Sequence, residues 1–290
     1  MRKIIGNIIK ANKIFNLIQN KDKICVGVSG GKDSMTLLYV LGIFKKMMKK
    51  NYNWDIDVIG IHLKMNLCHI DYGPIIKFWA DQGIYFHIED TNMGEILRAN
   101  MHKNKIQCSL CSKMKKAILI QTAKRLGCNK VAMGHHADDA IETFFMNMIY
   151  EGRIATFKPQ MFLDKEQMMF IRPLILCREK DIIKAAKTVD NMPVVPCGCP
   201  MEGFTTRDGM KDFLNTNFYH AENKKMRLAY NNFMAALMNG KEFNLWFMND
   251  NKEIVDIDLR SLAINDGCAI RKKDTEQTGC DWTDDLSDFD

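Results

Sequence analysis

The sequence lacks a continuous apolar run at its start, where MRKIIGNIIKANKIF breaks its short apolar groups with Lys, Arg and Asn. A signal peptide or a membrane span would need an unbroken run there. The chain has no internal repeat, and its 290 residues are too many for a miniature domain held together by disulfides. We therefore expect a soluble cytoplasmic protein of one or two domains, with a hydrophobic core of its own and no membrane partner.

Only four of the ten cysteines are arranged as close pairs. Cys108 and Cys111 form a C-x-x-C motif, and Cys197 and Cys199 form a C-x-C motif. In an intracellular chain, cysteines are more often metal ligands, catalytic thiols or buried apolar residues than disulfides. The two pairs are therefore the candidate metal-ligating thiols.

Charge is unevenly distributed along the chain. The formal net charge is +6, yet residues 274–290 hold seven acidic residues and no Lys or Arg, so the chain without those seven negative charges carries +13. A body this basic fits an anionic partner such as RNA, because Lys and Arg displace counterions from phosphates. Solvated lysine-rich helix faces explain the same charge equally well.

Short apolar runs alternate with stretches of helical periodicity. The runs cover residues 24–28, 57–63, 84–88, 130–134 and 168–175, and helices are predicted at about 74–81, 112–126, 138–150 and 178–189. Such alternation predicts an α/β fold with a parallel sheet and helices on both of its faces. Residues 205–239 contain further segments with helical periodicity, which predicts a mainly helical C-terminal extension.

We divide the chain into four parts on this pattern. Residues 1–20 are an N-terminal helix, and residues 21–200 are the catalytic domain. Residues 201–240 are the helical extension, and residues 241–290 are a segment with an acidic tail that is either mobile or docked on the basic body.

A glycine-containing turn, SGGKDS (29–34), follows the first apolar run and begins the next helix. Helix N-termini offer unpaired N–H groups to anions. The turn is not a Walker A loop, which would require Gly at position 26 and Ser or Thr at position 33. SGGKDS instead resembles the pyrophosphate loop of the ATP pyrophosphatase (PP-loop) superfamily. This implies a Rossmann-like, adenine nucleotide α-hydrolase-like fold, with Asp33 as a magnesium ligand and ATP phosphates held by Ser29, Gly30, Gly31, Lys32 and Ser34.

A second motif, GHHADDAIET (134–143), follows the run that ends at residue 134. Its adjacent carboxylates, Asp138 and Asp139, suit the positive end of a helix and could hold magnesium, or they could simply cap the helix. GHHxDDxxET resembles the second signature of the tRNA-modifying branch of the superfamily. That resemblance implies ATP contacts from Gly134 and His135 and catalytic roles for Asp138 and Asp139.

The paired thiols suggest a metal centre. Three thiolates on a four-iron cluster would leave one iron open to an exogenous sulphur atom, whereas C-x-x-C plus C-x-C also suits a closed zinc site. The stretch from CSLC (108–111) to YEGR (150–153) is similar to the tRNA 2-thiocytidine synthetase family, over roughly residues 20–200. The resemblance implies a [4Fe-4S] cluster on Cys108, Cys111 and a third thiolate. That family commonly shows P-C-x-x-C where this chain has P-C-x-C, so Cys199 is favoured and Cys197 is the alternative.

The same resemblance implies roles for two further residues. Lys115 matches a catalytic lysine four residues after the C-x-x-C of related 2-thiouridine synthetases, or it is an exposed helix lysine beside two others. The adenine of ATP would lie against the backbone around Leu63.

The implied activity is an ATP-dependent transferase reaction on tRNA. ATP and Mg²⁺ would adenylate a pyrimidine base and release pyrophosphate, and sulphur would then replace the base oxygen, giving 2-thiocytidine. The sulphur donor would be a cysteine desulfurase or inorganic sulphide, and a homodimer is left open. Alternatives are 2-thiouridine formation, a PP-loop ligase with a nitrogen nucleophile, and a zinc-stapled ATP- and RNA-binding protein.

Overall fold

The computed structural model describes residues 1–66, 70–101, 107–193, 206–220 and 226–239. Within this part, six strands form one sheet in the order β3-β2-β1-β4-β6-β5. The strands are β1 (Lys23–Gly27), β2 (Asp57–Lys64), β3 (Tyr85–Asp90), β4 (Lys130–Ala132), β5 (Gln160–Leu163) and β6 (Met168–Ile171).

Five of these strands are parallel, which confirms the predicted parallel sheet, and the sixth strand adds an antiparallel edge. Strand β5, which the apolar pattern did not predict, pairs with β6 in the antiparallel direction. A tight turn joins the two strands, with Gln167 at a φ of 48°. A short turn of this kind permits antiparallel pairing, whereas parallel neighbours need a long crossover.

The helices surround the sheet. They are α1 (Arg2–Phe15), α2 (Lys32–Tyr52), α3 (Gly73–Asp81), α4 (Met93–Ala99), α5 (Cys108–Arg125), α6 (Ala137–Tyr150), α7 (Glu179–Ala186), α8 (Thr206–Leu214) and α9 (Ala229–Met238). Among the described residues, no helix combines the length and apolar character that crossing a bilayer requires.

Side chains of β1 show how the helices cover both faces. Ile24 and Val26 lie in a buried cluster with residues of α1, α2 and α7. Cys25, which points to the opposite face, lies in a second cluster with Leu119 and Ala123 of α5. A strand buried on both faces reads as a continuous apolar run, which is why this part of the fold could be predicted.

The predicted C-terminal helices dock on the body of the protein through α6. Met210 and Leu214 of α8 and Tyr230 of α9 are buried in one cluster with Ala137 and Ile141 of α6. Residues 194–205 and 240–290, which include the proposed domain boundary near 200 and the acidic tail, lie outside the described residues.

The strand order places a crevice beside β1. The chain moves from β1 outward through β2 to β3 and then crosses to β4 on the other side of β1. The segments that follow β1 and β4 therefore leave the same edge of the sheet side by side. Open α/β sheets bind ligands at such a switch point.

Candidate nucleotide and metal site

The loop between β1 and α2 is shaped around two serines and a glycine. Gly30 has a φ of 98°, in the left-handed region that favours glycine. Ser29 Oγ accepts a hydrogen bond from the amide of Gly31 at 3.3 Å, and Ser34 Oγ donates to the Gly31 carbonyl at 3.0 Å. Helix α2 begins at Lys32, so its first amides are free of helical partners and face the loop. The predicted phosphate residues thus lie together in one turn at a helix N-terminus, a geometry that suits an anion, and their binding of ATP phosphates stays a prediction.

Asp33 lies half-buried in the first turn of α2. Its Oδ1 atom is buried and has no hydrogen-bond partner among the described residues, and His136 Nε2 is 4.0 Å away. Burial raises the pKa of Asp33, and the charges of His136 and Lys32 oppose that rise. A divalent cation would supply the missing partner, so this carboxylate fits the expected magnesium ligand.

The described residues contain no group of three His, Cys, Asp or Glu side chains that could hold a metal ion unaided. Magnesium commonly takes one or two carboxylates and completes its shell with waters and substrate phosphates. Asp33 beside a phosphate loop matches that mode of binding, and its magnesium role stays a prediction.

Gly134 brings the second motif against the first. A Cβ atom on Gly134 would lie 3.1 Å from the Ser34 amide nitrogen and 3.4 Å from the Asp33 carbonyl carbon. Contacts this short are tighter than most real Cβ contacts, so a side chain at this position would push the loop backbone away by a few tenths of an ångström. Gly134 therefore supports the phosphate loop from the β4 side, and contact with ATP stays a prediction for it.

The two adjacent carboxylates of the second motif both bind main-chain amides. Asp139 Oδ2 accepts from the His136 amide at 2.7 Å, and His136 Nδ1 accepts from the Asp139 amide at 3.4 Å, which is a capping box at the start of α6. Asp138 Oδ2 accepts from the Glu179 amide at 2.7 Å, at the first residue of α7. The capping alternative thus describes Asp139, whereas Asp138 binds the first amide of a different helix, α7, and the catalytic roles of both residues stay predictions.

His135 faces the β6 side of the crevice. Arg172 Nε donates to His135 Nδ1 at 3.4 Å, and the His135 ring lies 5.2 Å from the Phe157 ring. The guanidinium of Arg172 lies 4.6 Å from the centre of the same Phe157 ring. These contacts fix the imidazole at the rim of the crevice.

Leu63 and Lys115 lie on the β2 side of the phosphate loop. Leu63 is half-buried near the carboxyl end of β2, one residue after His62, whose Nδ1 donates to the Val28 carbonyl at 2.8 Å. Burial lowers the pKa of His62, and the positive charge of Lys115 lowers it further. Lys115 is half-buried on α5 whereas Lys113 is exposed. Lys115 is therefore near enough to His62 of β2 to act on it electrostatically, and its catalytic role stays a prediction.

The C-x-x-C motif lies inside a helix, not before it as predicted. Helix α5 begins at Cys108, so Cys111 ends its first turn. The N-cap residue, Gln107, makes no capping hydrogen bond with its side chain. The sequence therefore lacks the Ser, Thr, Asp or Asn that usually indicates where a helix begins. Cys111 is half-buried against a cluster formed around Met93 and Leu97 of α4.

Positions three apart in a helix lie on one side of it, so the helical start suits two ligands for one metal. The candidates for the third ligand, Cys197 and Cys199, lie outside the described residues.

The structure adds Glu179, a site residue that the motifs did not assign. Its Oε1 atom lies 3.0 Å from Lys32 Nζ and 2.7 Å from Lys211 Nζ. Burial alone would raise the pKa of Glu179, but the two lysines lower it to about 2. In the sequence, Glu179 lies in the stretch REKD (178–181), inside the region of residues 20–200 that resembles the thiolation family but outside the motifs that assign roles to residues.

Helix α8 contributes a second cation to the site. Arg207 Nη1 lies 3.7 Å from Asp139 Oδ1 and 3.8 Å from Glu142 Oε2, and Arg207 Nη2 donates to Thr143 Oγ1 at 3.2 Å. Glu142 is buried, and this burial together with the charge of Asp139 raises its pKa to about 8. The carboxylates of α6 are therefore balanced by a residue far along the chain.

The fold and the site together define a nucleotide-binding α/β protein with a phosphate loop at the switch point of its sheet. Residues 6–192 match the model of the PP-loop domain. The chain belongs to the PP-loop family, as the SGGKDS and GHHADDAIET motifs predicted.

The relatives found for the chain are named as transferases acting on tRNA. It is 36% identical to the tRNA-cytidine(32) 2-sulfurtransferase of Aliivibrio salmonicida, over 74% of this chain and 69% of that protein. It is 34% identical to the protein of the same name from Mannheimia succiniciproducens, over 74% of this chain and 67% of that one. The resemblance to tRNA 2-thiolation enzymes is thereby confirmed.

The same fold occurs in a solved structure, the U34-tRNA thiolase NcsA from Methanococcus maripaludis with its [4Fe-4S] cluster. The two chains superpose with a TM-score of 0.60 and 22% identity, over 86% of this chain and 84% of that one. This likeness confirms the predicted Rossmann-like architecture.

Proposed function

We propose that the protein is a cytoplasmic, ATP-dependent tRNA sulfurtransferase that converts a cytidine of tRNA to 2-thiocytidine. The relatives named tRNA-cytidine(32) 2-sulfurtransferase support both the tRNA and the cytidine, because they share 34–36% identity with most of this chain. The basic body of the chain suits the polyanionic partner.

The observation that carries the proposal is the contact between the two signature segments. Gly134 lies against the backbone of Asp33 and Ser34, so the segment after β4 and the phosphate loop form one site. Lys32 and the first amides of α2 would bind the pyrophosphate end of ATP, with the adenine near Leu63. Asp33 would hold Mg²⁺, which would offset the charge that develops on the leaving pyrophosphate.

The chemistry proceeds in two displacements. The base oxygen attacks the α-phosphorus of ATP, a new P–O bond forms, and the bond to the β-phosphate breaks with release of pyrophosphate. Sulphide sulphur then attacks the activated base carbon, and the C–O bond breaks with release of AMP. Lys32 and the loop amides would stabilise the first leaving group, and the charge of Lys115, which already acts on the nearby His62, would stabilise the second.

The expected sulphur centre is a [4Fe-4S] cluster held by Cys108, Cys111 and Cys199, with Cys197 as the alternative third ligand. The donor set fits, because thiolates bind iron–sulphur clusters, although the same set also suits zinc. When bound through three protein ligands, such a cluster supplies an iron at which a sulphur atom from a desulfurase or from inorganic sulphide can be carried.

The proposal is tested with anaerobically purified protein, undermodified tRNA, MgATP and sulphide. We expect brown protein, pyrophosphate release and a new 2-thiocytidine peak when the tRNA nucleosides are analysed by mass spectrometry. Asp33→Ala should abolish pyrophosphate release, whereas Cys108→Ala should retain it and lose thiolation. Colourless protein with one tightly bound zinc, or thiolation retained in both variants, would contradict the proposal, and a 2-thiouridine peak would correct the base.

Lys115 is tested against a neighbour on the same helix. Lys115→Met should lower the rate of thiolation by about 100-fold, the order expected when a charged group is removed from the reacting centre. Lys113→Met, which changes an exposed lysine two residues away, should leave the rate unchanged. Equal rates in the two variants would assign Lys115 to the solvated face of α5.

A further inference from the structure

One carboxylate oxygen at the phosphate loop binds two lysines from distant parts of the chain. Lys32 Nζ and Lys211 Nζ lie 3.0 Å and 2.7 Å from the same Oε1 atom of Glu179. The two ammonium groups therefore cannot be farther apart than the sum of these distances. Lys32 belongs to the predicted pyrophosphate loop, so Lys211 lies next to it in space.

Helix α8 holds Lys211 firmly at this place. Met210 and Leu214, on either side of Lys211, are buried against α6. Arg207, one turn earlier on α8, lies near Asp139 and Glu142. Packing on one flank and ion pairs on the other leave Lys211 little freedom to move away from the loop.

The charges around the loop leave the two lysines available to an anion. Glu179 stays ionised, since the two lysines lower its pKa to about 2, but it offers one negative charge to two positive ones. Asp33 Oδ2, at 3.4 Å from Lys32 Nζ, supplies the other negative charge, and this residue is the expected magnesium ligand. Once Asp33 is occupied by a cation, Glu179 is the one carboxylate left within ion-pair distance of these two lysines among the described residues, since the buried Glu142 acts on Lys211 only from farther away.

The side chains of both lysines are partly open to solvent. Lys32 and Lys211 are 42% and 40% exposed, whereas Glu179 is 15% exposed. The lysines therefore offer more of their surface to an anion that enters from solvent than the carboxylate does. Lysine binds phosphate as a point charge and needs no fixed fork geometry, so a small rotation of either side chain suffices.

We propose that Lys211 is a second phosphate-binding lysine, which contacts the pyrophosphate end of ATP together with Lys32, and that Glu179 holds both lysines in position before the nucleotide arrives. The inference rests on the proposed ATP site and extends it to helix α8. It makes residues beyond the matched PP-loop domain part of the nucleotide site.

The test is a double-mutant cycle that separates direct binding from support of Glu179. The affinity for the magnesium complex of α,β-methylene-ATP is measured by calorimetry on the full-length protein, with folding checked by thermal unfolding. Lys211→Met should weaken binding about tenfold, roughly 1.4 kcal/mol. It should still weaken binding in a Glu179→Gln background, though by a smaller factor, because Lys211 contacts the phosphate directly even when the carboxylate no longer positions it. Lys211→Arg should stay within about threefold of the wild type, since it keeps the charge.

The control is Lys180→Met, which removes an exposed lysine adjacent to Glu179 and should leave the affinity unchanged. An effect of Lys211→Met that disappears in the Glu179→Gln background would overturn the inference, because Lys211 would then act only through Glu179. Unchanged affinity in the single variant would overturn it as well. Wild-type protein that fails to bind the analogue would instead defeat the proposed function, so the two failures are distinguishable.

Discussion

Glu142 should make the protein less stable as the pH rises, because its side chain is buried in α6 with only 6% exposure. Burial, together with the charges of Asp139 and Asp138, raises its pKa from 4.5 to about 8, against the opposing charges of Arg207 and Lys211. Between these two pH values the folded protein holds a proton that the unfolded chain has lost. The free energy of unfolding therefore falls as the pH rises through this window and levels off above about pH 8.

The size of this change in the free energy of unfolding follows from the shift in the pKa of Glu142. Each unit of pKa shift corresponds to about 1.36 kcal/mol. Ionising Glu142 in the folded protein therefore costs at most about 5 kcal/mol more than ionising it in the unfolded chain. Glu142→Gln keeps the shape of the side chain and removes the titration. We expect this variant to match the wild type near pH 5 and to exceed its free energy of unfolding at pH 8.5, by about 2 to 5 kcal/mol.

The assay is urea unfolding of both proteins at several pH values from 5 to 8.5, without nucleotide. Glu151→Gln serves as the matched control, because Glu151 is exposed and directly follows the same helix. Its stability difference from the wild type should not change with pH. A Glu142→Gln difference that is equally independent of pH would refute the reasoning, since Glu142 would then ionise in the fold at little cost.

Three further substitutions test the packing around the site. Gly134→Ala should weaken binding of the ATP analogue and destabilise the fold by about 1–3 kcal/mol, because the new Cβ would press on the backbone of the phosphate loop. Gly209→Ala is the control and should not destabilise the fold, because Gly209 has open space around it. Lys130→Met should destabilise by about 3–5 kcal/mol in chemical unfolding, because it leaves the buried Asp22, now 2.8 Å from the Lys130 ammonium, without its cation. Asp138→Ala should cost about 1 kcal/mol in the same measurement, since the first amide of α7 loses its acceptor. Unchanged stability in any of the three destabilising variants would contradict the contact assigned to it.

The parallel part of the fold could be predicted because its strands are buried on both faces. The sequences of β1 and β2 are therefore nearly continuous apolar runs, and each run is followed by a segment with helical periodicity. Strand β5 could not be predicted in this way. It is short and lies at the edge of the sheet, and its burial alternates, so its stability depends on pairing with β6.

The sequence predicted those parts of the site whose residues are neighbours along the chain. The phosphate loop could be found from six consecutive residues, because a turn and a helix start determine its amide geometry. Glu179 and Lys211 could not be found, since they meet Lys32 only after α7 and α8 have docked. The capping of α6 by Asp139 was one of the alternatives that the sequence offered, but the contact of Asp138 could not be predicted, because it binds an amide of a helix that begins forty-one residues later.

Two carboxylates beside the phosphate loop pair with cations from helix α8. The PP-loop match ends at residue 192, and within it Asp139 binds the His136 amide and Glu179 lies 3.0 Å from Lys32 of the phosphate loop. Buried carboxylates are costly unless a cation pairs with them, and a nearby triphosphate would add repulsion. Arg207 lies near Asp139 and Lys211 near Glu179, and both cations come from beyond the matched region. On the proposed function, α8 therefore balances the acidic residues of the nucleotide site from within the same chain.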